Sequence, residues 1–266
     1  MKNCVSVLFL ILGLFVASQA YDVRCPYPYK YNILALSWLG EFCSENDCNS
    51  NYDKWDHKTI TIHGFWPSPN PKNDRPAIEY DLCRKSNPAD CERNEPMAFE
   101  VFGYDYLTSN ETGLKEDLAT YWPETNANRD QGWFYQHEWD KHGVCYLMHM
   151  INTNTKAYEK DPVAFSQYIF KEYFRIAIQH TKDLNLQFHK NQEFTDKDNL
   201  SNYIGISGPD FTYQCNGKET NDREINEVRV CFSVAKTPGK EVVTDCDGYE
   251  NDQCRISKDT DEFRFK

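Results

Sequence analysis

The chain lacks an excess of positive charge. Its 266 residues include 29 Lys and Arg against 41 Asp and Glu, which gives a formal net charge of −12. A surface of this sign repels a polyanion at long range, so the composition excludes a basic clamp that binds along an extended nucleic-acid backbone. Any chemistry on a nucleic acid must therefore take place at a local site, at low pH or on short single strands.

Signatures of several other protein classes are also missing. After residue 20 there is no apolar run long enough to span a bilayer. No two cysteines have the C-x2-C spacing of zinc sites, and there is no Gly-rich phosphate loop, G-x-S-x-G elbow or D-x-D-x-D-G calcium loop. An aromatic content of 15% argues against disorder. We expect no metal or other cofactor.

The first 20 residues have the pattern of a secretory signal peptide. Lys2 supplies a positive start, residues 5–16 are mostly apolar, and Ser18 and Ala20 are small residues at the positions that signal peptidase reads. We predict cleavage after Ala20, which leaves residues 21–266 as the mature chain. The protein is then secreted or directed to a lysosome or vacuole, and it is not held in a membrane.

The cysteine count agrees with export. Removal of Cys4 with the signal leaves ten of the eleven cysteines, and this even number predicts five disulfides. The spacing of the cysteines does not by itself give their connectivity. Two N-glycosylation sequons begin at Asn110 and Asn199, so these are the candidate glycan acceptors.

Apolar patterning predicts the main elements. Residues 31–38 and 59–63 indicate strands, and the second strand should stop at Gly64, which would place His63 at a strand end. Residues 114–121 indicate a helix, and a long amphipathic helix should begin where Asp161 caps Pro162. The stretch 126–132 is typical of a loop.

These elements do not follow a regular βαβ period. The last third of the chain is turn-rich, has short β-rich runs such as 227–234, and is rich in cysteine over residues 200–266. We therefore predict a single α+β domain with a central, mainly antiparallel sheet, helices packed on the sheet, and disulfides that staple the fold.

Two segments concentrate histidines beside other reactive side chains. They are residues 63–67 (HGFWP) and residues 137–143 (HEWDKHG). Unpaired charges are costly to bury, so a face that gathers several of them indicates a site rather than a core. On an α-helix of about 100° per residue, which Gly143 would end, one side holds His137, Glu138, Lys141 and His142.

These residue types suit proton transfer at a phosphate. A neutral and a protonated histidine can act as general base and general acid at mildly acidic pH. Lys141 could stabilise a pentacovalent phosphate, and Glu138 would orient a histidine and raise its pKa. Trp66 offers a plate on which a base could stack. We expect solvated surface positions for His57, His149, His180 and His189.

Two other interpretations of the second segment stay open at this point. A solvated charged helix face would carry the same residues. A zinc protease places its two histidines at i and i+4, whereas here they lie at i and i+5 with Lys141 between them, which suits a metal poorly. Sensitivity to a chelator would reveal a metal-dependent hydrolase.

The two segments resemble the active-site segments of the ribonuclease T2 family, with Phe65 where Leu is usual. The stretch 35–43 (ALSWLGEFC) is similar to an early strand and turn of that family, and 121–123 (YWP) precedes the second segment as the family leads one to expect. The resemblance covers residues 30–180 well and the last third loosely. It implies a monomeric, metal-independent endoribonuclease that cleaves single-stranded RNA, but not DNA, through a 2′,3′-cyclic phosphate.

The resemblance also implies a role for each residue. His63 and His142 would form the acid and base pair, in either order, and His137 would hold the phosphate. The full implied catalytic set is His63, His137, Glu138, Lys141 and His142. The implied base-stacking residues are Trp66 and Phe134. A catalytically silent binding or signalling protein of the same fold is the alternative, but it would require the loss of one of these residues.

The resemblance also implies a set of disulfide pairs. Cys145 would bond to Cys83 or Cys91, and Cys25 would take whichever of these two remains. The other implied pairs are Cys43 with Cys48, Cys215 with Cys254, and Cys231 with Cys246.

Overall fold

A computed structural model describes residues 29–39, 43, 48, 60–68, 99–109, 113–130, 132–186, 193–194, 197–216, 224–246 and 263–264. The predicted signal peptide and its cleavage site lie outside these residues, as do Asn110, His57 and His189. Across the described ranges, no helix combines the length and apolar character needed to cross a bilayer.

The sheet is mainly antiparallel, as predicted. Four strands lie in the order β2-β1-β5-β4, and two short strands, β6 and β3, extend it next to β5. The only parallel contact among the described strands is between β5 and β6. The bounds are β1 (Tyr31–Trp38), β2 (Ile60–Ser68), β3 (Glu193–Phe194), β4 (Phe211–Asn216), β5 (Glu224–Ser233) and β6 (Phe263–Arg264).

Helices cover one face of this sheet. The bounds are α1 (Phe99–Thr108), α2 (Leu114–Tyr121), α3 (Trp133–Glu138), α4 (Val144–Thr153), α5 (Thr155–Lys160), α6 (Pro162–Leu184) and α7 (Lys197–Ile204). The long helix α6 begins as predicted, because the Asp161 side chain accepts the backbone N–H of Ala164 at 3.0 Å and Pro162 occupies the first turn. The α+β class is confirmed.

The core lies between α6 and the sheet. Strand β1 alternates, and its Leu34 and Leu36 face this core, where Phe170 and Phe174 of α6 are fully buried. Burial of one such side chain contributes about 1.5–3 kcal/mol to folding. The buried Tyr173 hydroxyl also donates a hydrogen bond of 2.8 Å to the carbonyl oxygen of Phe65, so α6 fixes the middle of β2.

The second predicted strand is longer than expected. It does not stop at Gly64 but continues to Ser68, past Pro67. Strand β2 pairs only with β1 among the described strands, so it is an edge strand, where a proline need not donate to a second neighbour. The prediction that His63 lies at a strand end is therefore wrong.

Two histidines expected at the surface are buried. The His180 ring stacks on Phe232 with 4.1 Å between ring centroids, and its Nε2 lies 3.8 Å from a carboxylate oxygen of Glu241. The Nε2 of His149 lies 2.9 Å from the carbonyl oxygen of Ala235. A lone histidine gives no sign in sequence of such a partner, since each partner lies far along the chain.

Two of the implied disulfides are present: Cys43–Cys48 and Cys231–Cys246. Cys145 and Cys215 are also disulfide-bonded. Their proposed partners, Cys83 or Cys91 and Cys254, lie outside the described residues, as does Cys25. The sequon residue Asn199 is exposed on α7, so its glycosylation stays a prediction.

Candidate active site

His63 occupies an irregularity in the pairing of β1 with β2. Leu36 pairs with Ile62 and Ala35 pairs with Gly64, so the ladder passes over His63. A bulge of this kind leaves one residue without a cross-strand partner and re-aims its side chain. The His63 side chain is 40% exposed, so it lies at the surface of the sheet edge rather than inside the core.

A buried carboxylate from the last third of the chain pairs with His63. The Nδ1 atom of His63 lies 2.5 Å from Oε2 of Glu227, whose side chain is only 6% exposed. The other carboxylate oxygen of Glu227 accepts the Nε–H of Arg229 at 2.5 Å. Desolvation acts to lower the pKa of His63, but Glu227, and more weakly Glu138, raise it above its usual value of 6.5.

The second segment lies in one continuous helical rod. Helix α3 passes into a π-helical turn, Trp139–Gly143, which passes into α4. Gly143 therefore does not end the helix, contrary to prediction. It has ordinary helical angles, and a Cβ there would lie 2.2 Å from the Trp139 ring, so close packing requires the glycine. A single π-helical turn within a longer helix is frequent at functional sites.

Trp66 connects the two segments. Its Nε1–H donates a 2.9 Å hydrogen bond to Oε2 of Glu138, which is buried. Its ring centroid lies 5.0 Å from that of His63 and 5.2 Å from that of His142. Trp66 is only 8% exposed, so it has little free surface on which a base could stack. Its contacts instead hold the two histidines around one carboxyl group.

Glu138 has a strongly perturbed proton affinity. Burial raises its pKa to about 7, although His63, the Trp66 hydrogen bond and Lys141 act in the opposite direction. Its other carboxyl oxygen lies 4.0 Å from Nε2 of His137, too far for a hydrogen bond. Glu138 therefore accepts a hydrogen bond from Trp66 and not from a histidine, while through space it acts to raise the pKa of His63, as expected.

The pKa of His142 is shifted in the opposite direction to that of His63. It is 2% exposed, and its buried Nδ1 has no hydrogen-bond partner among the described residues. Burial lowers its pKa well below 6.5, and the charges of Lys141, His63 and His137 lower it further. A protonated ring would bury an unpaired N–H, which is unfavourable. The site thus holds His63, whose protonated form is favoured, close to His142, whose neutral form is favoured.

The remaining predicted site residues surround this pair. Phe134 is half-buried and stacks on the His63 ring with 6.0 Å between centroids. His137 is half-buried and stacks on Trp133 at 5.2 Å, and the guanidinium of Arg129 lies 3.9 Å above the Trp133 ring. Within the described part of the chain, no cluster of three or more His, Cys, Asp or Glu side chains is placed to hold a metal ion.

Glu227 and Arg229 are the residues that sequence reasoning missed. Strand β5 alternates, with Val228 and Val230 in the core and the two charged residues on the other face. Such alternation usually indicates a solvated face. Only the register of β5 on β1, which places Arg229 opposite Ala35, brings these charges to His63.

The close approach of the two segments depends on Gly64. A Cβ at this position would lie 1.9 Å from Nε1 of Trp66 and 2.1 Å from Oε2 of Glu138. We predict that Gly64→Ala breaks that hydrogen bond and lowers the free energy of unfolding by about 2–4 kcal/mol. Urea denaturation measures this loss. In a Trp66→Phe background, which lacks the indole N–H, the same change should cost less; an equal cost in both backgrounds would contradict the account.

Comparisons with known proteins identify the family of the chain. A model of the Ribonuclease T2 family matches residues 29–246. The chain is 28% identical over 135 residues to "Ribonuclease T2" of Sus scrofa, which covers 50% of this chain and 52% of that protein. It is 25% identical over 274 residues to a "Ribonuclease-like storage protein" of Panax ginseng, which covers 100% of this chain and 92% of that one. The match thus spans about half of the pig protein's length.

A comparison of folds finds a crystal structure of a mutant of ribonuclease MC1. It has a TM-score of 0.45 and 18% sequence identity, and the match covers 77% of this chain and 89% of that one. The family model extends from β1 to the cysteine that closes the Cys231–Cys246 disulfide, and so includes both histidine segments and the strand that carries Glu227. The chain belongs to the Ribonuclease T2 family.

Proposed function

We propose that the protein is an endoribonuclease that cleaves single-stranded RNA by metal-independent transphosphorylation. The observation that carries this proposal is the pairing of His63 and His142 around Trp66, with centroids at 5.0 and 5.2 Å from the indole ring. The pKa values of the two rings are shifted in opposite directions, since that of His63 is raised and that of His142 is lowered. Proton transfer in both directions at one phosphate needs such a pair.

These pKa shifts favour one assignment of the general base and the general acid. His142, neutral at mildly acidic pH, takes the proton from the 2′-OH while the 2′-oxygen attacks the adjacent phosphorus. The bond from phosphorus to the 5′-oxygen breaks, and protonated His63 gives its proton to that oxygen. The products are a 2′,3′-cyclic phosphate and a 5′-hydroxyl. The nucleophile belongs to the substrate, so DNA, which lacks it, is not cleaved.

The other predicted residues support the phosphate. Lys141 lies near enough to Glu138 and His142 to lower the pKa of both, so its charge also acts on the phosphoryl oxygens as negative charge develops. His137 holds the phosphate. Glu138, with a pKa of about 7, is largely neutral at mildly acidic pH and so does not repel the polyanion.

An acidic compartment suits this chemistry. With 41 acidic residues the chain repels RNA at neutral pH, and partial protonation of these groups and of the histidines weakens that repulsion. We propose export through a signal peptide, residues 1–20, followed by secretion or delivery to a lysosome or vacuole. The protein then acts as a monomer, without a cofactor, and carries glycans at Asn110 and Asn199.

A second function has a specific observation in its favour. The ginseng relative that matches the whole chain is named a ribonuclease-like storage protein, so a silent protein of this family is the alternative. The five candidate catalytic residues are all present here, which favours the enzyme.

One assay separates the two functions. The mature, disulfide-bonded protein is incubated with a single-stranded RNA and with the DNA of the same sequence, at mildly acidic and neutral pH, with and without EDTA. We expect cleavage of RNA alone, faster at acidic pH and insensitive to EDTA. No cleavage of RNA by the folded protein would support the silent protein, and loss of cleavage with EDTA would indicate a metal-dependent hydrolase.

A further inference from the structure

We propose that Glu227 is the positioning residue for His63: its carboxylate, fixed by Arg229, accepts the Nδ1–H of His63 and turns the opposite ring nitrogen towards the substrate. This inference rests on the proposed ribonuclease function. It assigns a role in catalysis to the last third of the chain, which neither histidine segment includes.

The contact geometry supports the first part of this role. His63 Nδ1 and Glu227 Oε2 are 2.5 Å apart, and Arg229 Nε donates to the other carboxylate oxygen at 2.5 Å. Both oxygens are thus occupied, and the carboxylate can neither rotate nor shift without losing a charge-assisted hydrogen bond. Within the described part of the chain, the Nε2 atom of His63 makes no hydrogen bond, so it is the nitrogen available to a substrate.

The sheet is built to allow this contact. Glu227 lies on β5, two strands away from His63, and pairs with Ser37 of the intervening strand, while Arg229 pairs with Ala35. Paired residues share one face of a sheet, and the side chains on that part of β1 are small. They leave room for the carboxylate to reach across β1 to the bulge at His63.

The burial of Glu227 argues against an incidental ion pair. Its side chain is 6% exposed and that of Arg229 is 14% exposed. Burial of a carboxylate destabilises the folded state unless the group is paired and hydrogen-bonded, so Glu227 would not be buried here without its partners. His63 and Arg229 offset the effect of burial and lower the pKa of Glu227 below 4.5. Glu227 is therefore an anion at the pH of catalysis.

Arg229 also connects this pair to the rest of the site. Its guanidinium lies 5.1 Å above the ring of Trp66, whose indole N–H binds Glu138. The groups that act on the pKa of His63 are therefore Glu227 and ionised Glu138, which raise it, and Arg229, which lowers it. His142 belongs to the same site, and the charge of His63 acts to lower its pKa.

The test compares Glu227→Gln and Glu227→Asp in the full mature protein. The first readout is an NMR pH titration of the His63 ring, which does not require activity. With Gln, burial still disfavours the charged ring while the carboxylate is gone, so the pKa of His63 should fall; with Asp it should stay nearer the wild-type value. The second readout is the pH profile of kcat/KM for RNA cleavage.

We expect Glu227→Gln to lower kcat/KM by about 10- to 100-fold, as when a carboxylate that orients a histidine is lost. The alkaline limb of the profile should move to lower pH, and Asp should restore part of both. The matched control is Glu241→Gln, which removes another buried carboxylate paired with a histidine, His180, and hydrogen-bonded by Tyr146. It should leave the His63 titration and the alkaline limb unchanged.

Two outcomes would overturn the proposal. The first is an unchanged His63 titration in Glu227→Gln, even if activity falls, since that loss would reflect general damage. The second is a shift of the titration without change in kcat/KM or in the pH profile. Should the wild-type protein cleave no RNA, the proposed function fails, while the titration still decides whether Glu227 controls the protonation of His63.

Discussion

Replacement of His142 by alanine is expected to lower kcat for RNA cleavage by about 10²–10⁴-fold, the usual contribution of a general base or acid. The reason is that His142 is the neutral, buried imidazole of the pair and therefore the proposed acceptor of the 2′-OH proton. His63→Ala should have an effect of the same order, because the 5′-oxygen would then leave without a proton.

The double variant sharpens this prediction. The two histidines act in one concerted proton transfer, so His63→Ala combined with His142→Ala should lose little more than either change alone. His149→Ala is the matched control, since His149 is also buried on the helical rod but binds a backbone carbonyl away from the site. This change should lower the free energy of unfolding but retain kcat at a temperature where the protein stays folded. Multiplicative losses from the two site changes would contradict a shared step.

The pH dependence of kcat/KM is expected to be bell-shaped, with its two limbs on either side of the ordinary histidine pKa of 6.5. His142 must be neutral, so activity falls as pH drops through its pKa, which burial and Lys141 lower. His63 must be protonated, so activity falls as pH rises through its pKa, which Glu227 raises above 6.5 against the effect of burial. The active range is the interval between these two values.

A substitution at Lys141 assigns the acidic limb. Lys141→Met removes a cation that lowers the pKa of His142, so the acidic limb should move to higher pH, while kcat falls because charge on the phosphate is less stabilised. The alkaline limb, which depends on the pKa of His63 and its partner Glu227, should not move. A shift of the alkaline limb alone would mean that His142, not His63, is the group with the higher pKa, and this would contradict the pKa order on which the proposed roles rest.

Local patterning predicted much of the fold. Strand β1 and helices α2 and α6 appear where periodicity, capping residues and prolines place them, because these signals depend on neighbours in the chain. Apolar patterning does not indicate helix α7 in advance, since its sequence is short and mostly polar and buries only Leu200 and Ile204. The end of β2 is wrongly predicted from sequence, because Pro67 is tolerated only through the strand's edge position, which is a property of the whole sheet.

The candidate site could likewise be predicted from local sequence only in part. The two histidine segments stand out in sequence because reactive residue types lie close together there, and the structure brings His63, Glu138 and His142 around Trp66. The π-helical turn was not foreseen, and neither was the use of Gly143 to admit the Trp139 ring. The partner of His63, Glu227, is 164 residues away, so only the strand register could reveal it.

The two residues proposed to stack a base differ in their free surface: Trp66 is buried and Phe134 is half-buried. Trp66 contacts the two histidines and Glu138, and the Trp133 ring contacts both Arg129 and His137. Phe134, half-buried against His63, is thus the better placed of the two residues proposed to stack a base. Its substitution by leucine would test this role through KM for RNA.

The most direct test of the central claim is mass spectrometry of the earliest products from a single-stranded RNA oligonucleotide, with wild-type protein and His142→Ala compared at mildly acidic pH in EDTA. The account predicts 5′-fragments that end in a 2′,3′-cyclic phosphate, lighter by one water than a 3′-phosphate, together with 5′-hydroxyl fragments, and almost none of either from the variant. Initial products that end in a 3′-hydroxyl and a 5′-phosphate would contradict it, because attack by the 2′-oxygen cannot produce them.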